Sequence, residues 1–280
     1  MPVPQPPARP ARPRRTEAAG VAIGADEAHV WVLDPQTLAL SDLVSACHDL
    51  ISDDERARVR RRRFDRDRHT ALAAHALART ALSWCSPEVH PDEWRFARTE
   101  HDRPEVADPP SPLRFNVSHT DRLIACVVTR DIACGVDVEV ADRDTDVALL
   151  VRGTCTPAEC AALRGLPEGE RPGRFFRYWT LKEAYSKARG LGMSVPFERY
   201  GFDWDSGPIR VSTPGDAPEE DDPAHWQFAQ WPVTDRHILA VALRTGPAPD
   251  LRIVRHPTPT GRDGAGGPGV FARWRFENHG

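Results

Sequence analysis

The sequence predicts an α+β fold, on three observations. Short apolar or alternating runs of strand type recur along the chain. Two long stretches, one rich in Ala and Leu and one rich in aromatic residues, have the spacing of helices. The two kinds of element follow one another irregularly, which favours α+β over a doubly wound parallel sheet. The 280 residues, 40% of them hydrophobic, suffice for one large domain or two smaller ones, each with its own core. No internal repeat is visible by identity.

Met1 to Gly20 is rich in Pro, Ala and Arg and is expected to be a flexible tail, because it cannot bury enough apolar surface to offset the entropy of ordering. His29 to Leu33 reads as a first strand and Ser41 to Leu50 as a short helix. Ser52-Asp53-Asp54-Glu55 has the form of a helix start, with a capping serine and acids at the positive end of the dipole. The helical region that follows is strongly basic from Arg56 to Arg68 and rich in Ala and Leu from Thr70 to Leu82, so Leu72, Leu77 and Leu82 are expected in a core. His75 reads as a core or partner-bonded histidine. Trp94 to Ala97 is expected as a strand, His101-Asp102-Arg103-Pro104 as a turn, and Phe115 to His119 as the end of a strand. Leu123 to Thr129 and Ala133 to Val138 suggest an antiparallel hairpin joined through Arg130-Asp131. Thr156-Pro157-Ala158-Glu159 is a capping-box pattern with proline at the first helical position. A helix from Phe175 to Lys187 should close near Gly190, and Phe202–Trp204, Ile209–Val211, Trp226–Trp231 and Ile238–Leu243 read as short strands. Pro247 to Gly269 reads as a second tail, and Val270 to Phe276 as an apolar segment without a legible role.

A net charge of −4 argues against a protein that coats nucleic acid. Six cysteines lie scattered without a CxxC pair, the pattern of free thiols in a reducing, cytoplasmic setting. No apolar run approaches the roughly 20 residues that span a bilayer, and no secretory signal is visible.

The chemistry concentrates in three segments. In Trp179-Thr180-Leu181-Lys182-Glu183-Ala184-Tyr185-Ser186-Lys187 a helix sets Glu183 and Lys187 one turn apart on one face. In Gly135-Val136-Asp137-Val138-Glu139 a strand points Asp137 and Glu139 to one side and the valines to the other. An oxygen-only set of this kind suits a hard cation such as Mg²⁺ beside a substrate phosphate. Phe115-Asn116-Val117-Ser118-His119 adds a Ser-His pair, yet no G-x-S-x-G elbow, Walker A loop, HExxH or Gly-rich dinucleotide fingerprint accompanies it. Trp179 either shields the site or belongs to a core.

These three segments, in this order, resemble the Sfp-type 4′-phosphopantetheinyl transferases, which move the phosphopantetheine arm of coenzyme A onto a carrier-protein serine. The motifs span Asp102 to Lys187, with weaker similarity from about Val30 to Leu243. The resemblance implies two similarly folded halves related by a pseudo-twofold, each a small, mostly antiparallel sheet packed with helices, meeting near Thr129 to Gly135. On that basis residues 1–24 form a tail, 25–132 a coenzyme A-binding half, 133–246 a half carrying metal site, catalysis and carrier recognition, and 247–280 a second tail. It implies Mg²⁺ on Asp137, Glu139 and Glu183, with Glu183 either third ligand or general base, and Lys187 on the pyrophosphate. Ser118, His119, Arg103, Arg68 and Lys182 become coenzyme A contacts. The chain departs from the family at Thr70, where an arginine is usual, and at Asp102, where a glycine is usual. The implied partners are acyl or peptidyl carrier proteins, including those of polyketide and nonribosomal peptide biosynthesis; the apolar cluster after Gly190 suggests that they dock on the apolar and basic surface around Leu191, Met193, Val195 and Phe197. The implied state is a monomer. The competing readings are a Mg²⁺-dependent nucleotide pyrophosphate hydrolase and a non-catalytic module that binds coenzyme A or carrier.

Overall fold

Residues 23–38, 43, 44, 47, 50–143, 145–205, 207–215, 222–247 and 250–256 are described in the computed structural model. The chain runs β1 (Glu27–Leu33), α1 (Asp53–Arg60), α2 (Asp65–Cys85), β2 (Arg95–Arg98), β3 (Pro104–Asp108), β4 (Leu113–Thr120), β5 (Leu123–Arg130) and β6 (Cys134–Val140). It continues through α3 (Val147–Val151), α4 (Pro157–Arg164), α5 (Arg171–Arg189), β7 (Gly201–Asp203), β8 (Arg210–Ser212), β9 (Trp226–Pro232), β10 (His237–Arg244) and β11 (Arg252–His256). One sheet has the order β11-β1-β5-β4 and a second β6-β10-β9, while β2-β3 and β7-β8 are separate ribbons. All pairings are antiparallel except β1 with β11. This is an α+β architecture of small antiparallel sheets packed with helices.

The topology repeats although the sequence does not. Each half runs strand, short capped helix, long helix, two-stranded ribbon, then two strands of which the last is central in its sheet: β1, α1, α2, β2-β3, β4, β5, and then β6, α4, α5, β7-β8, β9, β10. The capping boxes repeat too. Glu55 N donates to Ser52 Oγ (3.3 Å) and Ser52 N to Glu55 Oε2 (2.7 Å). Glu159 N donates to Thr156 Oγ1 (3.2 Å) and Thr156 N to Glu159 Oε2 (2.8 Å). Each capping glutamate is buried and meets a buried cation from the long helix of its half. Glu55 pairs with Arg79 at 2.6 Å and Glu159 with Lys182 at 2.7 Å. Buried charge is tolerated where it is paired and fully hydrogen-bonded. Arg79 also donates to the carbonyls of Pro91 (2.9 Å) and Trp94 (2.8 Å), and His75 Nδ1 lies 3.1 Å from Glu55. Burial alone would raise the Glu55 pKa, but the His75 hydrogen bond and the Arg79 charge hold it well below the usual carboxylate range.

Helix α2 packs on β4 and β5, and α5 on β6 and β10. The two sheets share a core between their other faces, where Val30, Ala125 and Val127 meet Val136, Val138, Leu239 and Val241. Strand β5 is therefore buried on both sides, Ile124, Cys126 and Val128 turning toward α2. That corrects the hairpin expected from Leu123–Thr129 and Ala133–Val138. Strand β5 inserts between β1 and β4, whereas β6 crosses to the other sheet and pairs with β10. A strand buried on both faces is apolar at nearly every position, so its sequence carries no record of its neighbour.

Helices α1 and α2 are separated by Arg61 to Phe64, which the reading of one basic helical region did not foresee. Two pieces assigned to tails belong to the fold: Ile23 is buried in the α2 core, and Arg252–His256 forms β11 on the edge of β1. Pairing with β1 satisfies backbone groups that the surrounding Pro- and Gly-rich composition hid. Of the expected helix Ser41–Leu50, the described residues Leu43, Val44, Cys47 and Leu50 are helical; the others, like Met1–Gly20 and Val270–Phe276, lie outside the described residues. All six cysteines are free thiols. No helix among the described residues is long and apolar enough to cross a membrane.

Candidate active site

Strand β6 lies directly under α5, and Gly135 permits it. A Cβ at this position would stand 2.0 Å from Ala184 O and 2.5 Å from Ala188 N, both backbone atoms that cannot swing away. Gly135→Ala should therefore push α5 off the sheet, lowering stability by about 1–3 kcal/mol and separating the groups described next; thermal unfolding would show the loss of stability.

Two residues along β6, the buried Asp137 accepts hydrogen bonds at Oδ1 from Lys187 Nζ (2.6 Å) and Ser118 Oγ (2.8 Å). Lys187 Nζ also donates to Ser118 Oγ at 3.0 Å. The other oxygen, Asp137 Oδ2, is buried without a hydrogen-bond partner. Strand β4 runs alongside. Asn116 Oδ1 accepts from Val136 N at 3.0 Å, Ser118 meets Asp137, and Thr120 Oγ1 donates to Glu139 Oε2 at 3.3 Å. One polar face of β4 thus meets one acidic face of β6, joining the two halves. The same Glu139 oxygen accepts from Arg143 Nη2. Sequence reading missed Thr120 and Arg143; strand alternation from Ser118 would have reached Thr120, but nothing local marked Arg143.

Glu183, from α5, is only partly exposed, and its pKa is pushed up to about 7. Burial is the main cause; Lys187 opposes it, and the charges of Asp137 and Glu139 add to it. The His119 imidazole, exposed at its edge of β4, is held below its ordinary range by partial desolvation and then by the positive charges of Arg62 and Lys187.

Three acids with one orphaned buried oxygen and one carboxyl poised near neutrality make a site short of positive charge, and their all-oxygen donor set fits a hard cation. Among the described residues no three acid, His or Cys side chains stand in metal-ligand arrangement. Lys187 and Arg143 take up one oxygen each of Asp137 and Glu139 instead.

Three expected coenzyme A contacts have other commitments. Lys182 is 1% exposed, and its Nζ donates to the carbonyls of Thr154 (2.7 Å), Phe197 (2.7 Å) and Tyr200 (2.6 Å) besides pairing with Glu159. It is the counterpart of Arg79 and is shut off from solvent. Arg103 is also buried. Its Nη1 donates to the Lys187 and Ala188 carbonyls, its Nη2 to those of Phe115 (3.4 Å) and Cys134 (3.1 Å), and its Nε faces Glu105 at 2.8 Å. Carbonyls at a helix C-terminus lack intrahelical donors, and a guanidinium satisfies them. Arg103 therefore fastens the end of α5 to β4 and β6, both of its terminal nitrogens being committed to backbone carbonyls. The turn before it carries Asp102 at φ 62°, a left-handed conformation that explains the family's glycine and that Asp tolerates. Arg68 lies half-exposed near the start of α2, paired with Asp65. Trp179 is partly buried and packs against the core of the second half, edge-on to Phe197 at 6.0 Å. The proposed apolar docking surface is not one: Val195 and Phe197 are buried, Leu191 packs against the same core, and the Met193 side chain lies outside the described residues.

Residues 133–242 match the 4′-phosphopantetheinyl transferase superfamily, and residues 39–130 match the 4′-phosphopantetheinyl transferase N-terminal family. The 4′-phosphopantetheinyl transferase HetI of Nostoc sp. is 34% identical over 173 residues, which cover 60% of this chain and 71% of that protein. The chain belongs to the 4′-phosphopantetheinyl transferase superfamily. The phosphopantetheinyl transferase of Thraustochytrium sp. is 33% identical over 207 residues, covering 69% of this chain and 70% of that one. The 4′-phosphopantetheinyl transferase Sfp of Bacillus subtilis is 26% identical over 151 residues, covering 54% and 65%. In this phosphopantetheinyl transferase the two matched regions contribute together to the site, Ser118 and His119 from the first and Asp137, Glu139, Glu183 and Lys187 from the second.

Proposed function

We propose that the protein transfers the 4′-phosphopantetheine arm of coenzyme A to a serine of an acyl or peptidyl carrier protein, releasing adenosine 3′,5′-bisphosphate, with Mg²⁺ held by Asp137, Glu139 and Glu183. The observation that carries the reading is the cluster of Asp137, Ser118 and Lys187 beside an uncompensated Glu183. Mg²⁺ held there would supply the charge that neutralises and orients the pyrophosphate. The carrier serine oxygen attacks the β-phosphorus, its proton leaves, and the bond to adenosine 3′,5′-bisphosphate breaks. Lys187 supplies positive charge where it develops on the leaving group. His119 donates an N–H to a phosphate oxygen, and Ser118 orients Lys187 and Asp137 through its hydroxyl. Glu183 serves the site in its ionised form, as third oxygen donor or as acceptor of the serine proton.

Residues 25–132 would then bind coenzyme A, with Arg68 and the basic stretch around Arg62 near its 3′-phosphate, and residues 133–246 would carry metal, catalysis and carrier recognition. Because one chain supplies side chains from both halves, a monomer completes the site. Six free thiols suit the reducing cytoplasm, and carriers of secondary metabolism are the proposed partners.

Intact-protein mass spectrometry of an apo carrier incubated with the protein, coenzyme A and Mg²⁺ tests this. A metal-dependent gain of one phosphopantetheine arm is the expected result. Adenosine 3′,5′-bisphosphate released without carrier would mean a hydrolase, and coenzyme A binding without turnover would mean a binding module.

A further inference from the structure

Both acids of β6 are paired with cations, but the two cations are held differently. Lys187 projects from the long helix α5 and is shared between Asp137 and Ser118. Its side chain is 26% exposed. Arg143 sits on the turn that follows β6, its side chain 47% exposed against 15% for Glu139. That turn is pinned by other residues: Ala141 N donates to Arg236 O at 2.7 Å, and Arg236 Nε donates to both oxygens of Asp142 at 3.0 and 2.9 Å. The Arg143 backbone is thus placed, while its half-exposed guanidinium is held at its tip by Glu139 Oε2 and on its flat side by the Phe176 ring on α5, whose centroid is 5.5 Å from Cζ, so the ring contact does not depend on the carboxylate. Thr120 holds the same Glu139 oxygen, so the carboxylate stays oriented when Arg143 leaves.

We propose that Arg143 is the exchangeable counter-ion of Glu139: it pairs with the carboxylate when no divalent cation is bound, yields it when one binds, and by its charge sets the metal affinity of the site. An ion pair with a half-exposed guanidinium is weak, whereas a divalent ion among three carboxylates gains far more. Arg143 then remains near the bound ion as a like charge, supported by the Phe176 face. It is a positioning residue, acting through Glu139. The inference rests on the metal site proposed above.

The test is Mn²⁺ binding to the full chain, without coenzyme A or carrier, followed by the electron paramagnetic resonance of free Mn²⁺. Wild type should bind, and Arg143→Gln should bind about three- to tenfold more tightly, because one positive charge near a divalent ion is removed. Arg143→Lys should restore the wild-type affinity, and the gain should shrink as ionic strength rises. An unchanged or weaker Mn²⁺ affinity in Arg143→Gln, with normal binding by wild type, would overturn the counter-ion role and leave Arg143 as packing on Phe176. Wild type that binds no Mn²⁺ would overturn the metal site itself, and this inference with it. Thermal unfolding of each variant separates both outcomes from misfolding.

Discussion

Glu183→Gln should cut transfer by orders of magnitude and at the same time make the metal-free protein more stable above neutral pH. The Glu183 carboxyl titrates at about 7 in the folded protein against an ordinary 4.5. Between those values the folded state keeps a proton that the unfolded chain has released, so stability falls as pH rises through the interval. Above it, the folded protein carries a desolvated carboxylate at a cost of about 1–3 kcal/mol, taking 1.36 kcal/mol per pKa unit and discounting for partial exposure. Glutamine presents a similar shape without that charge. Urea unfolding without metal should therefore show the variant more stable than wild type by that margin at pH 8, with most of the difference gone at pH 5. Saturating Mg²⁺ should raise the stability of wild type more than that of the variant, since only wild type offers the full acid set. Transfer by the variant should drop by about 10²–10⁴, the usual worth of general-base assistance. Equal stabilities at pH 8 would show that Lys187 already compensates the charge, and the account of an uncompensated acid would fail.

Lys182→Ala should cost about 3–5 kcal/mol of stability, the typical effect of breaking a buried ion pair by removing one partner. Glu159 would be left charged and buried, and the carbonyls of Thr154, Phe197 and Tyr200 would lose their common donor. Denaturant unfolding measures the loss directly. The double variant Glu159→Gln/Lys182→Ala should be less destabilised than the sum of the single changes, because the two residues are coupled. If Lys182 instead contacted coenzyme A, Lys182→Ala would raise the coenzyme A KM and leave stability near wild type; that result would restore the ligand role suggested by the motif.

Lys182 and Arg103 show where sequence reading stops. A cation next to an active-site motif looks like a phosphate ligand, because the motif shows its neighbours along the chain and nothing of its neighbours in space. Lys182 finds its three carbonyls 15 to 28 positions away, and Arg103 reaches Lys187 and Ala188 across more than 80. The apolar segment from Leu191 to Phe197 failed for the same reason, since its burial depends on what packs over it. By contrast, both capping boxes and the spacing of Glu183 and Lys187 were legible, because each depends on bonds or periods within a few residues. The repeated topology was hidden: Arg79 and Lys182 fill the same place in their halves, but one is a guanidinium and the other an ammonium, so identity does not reveal the correspondence.

By itself the sequence determined most of the elements and the one-sided presentation of Asp137, Glu139, Glu183 and Lys187, for these follow from helical and strand periods acting locally. Only the tertiary structure decided which strands pair, that Gly135 lets α5 close on β6, which cations are structural and which face the acids, and that Glu183 sits near neutrality. Those outcomes depend on desolvation and on partners far apart in the chain, and both exist only once the two halves have packed together.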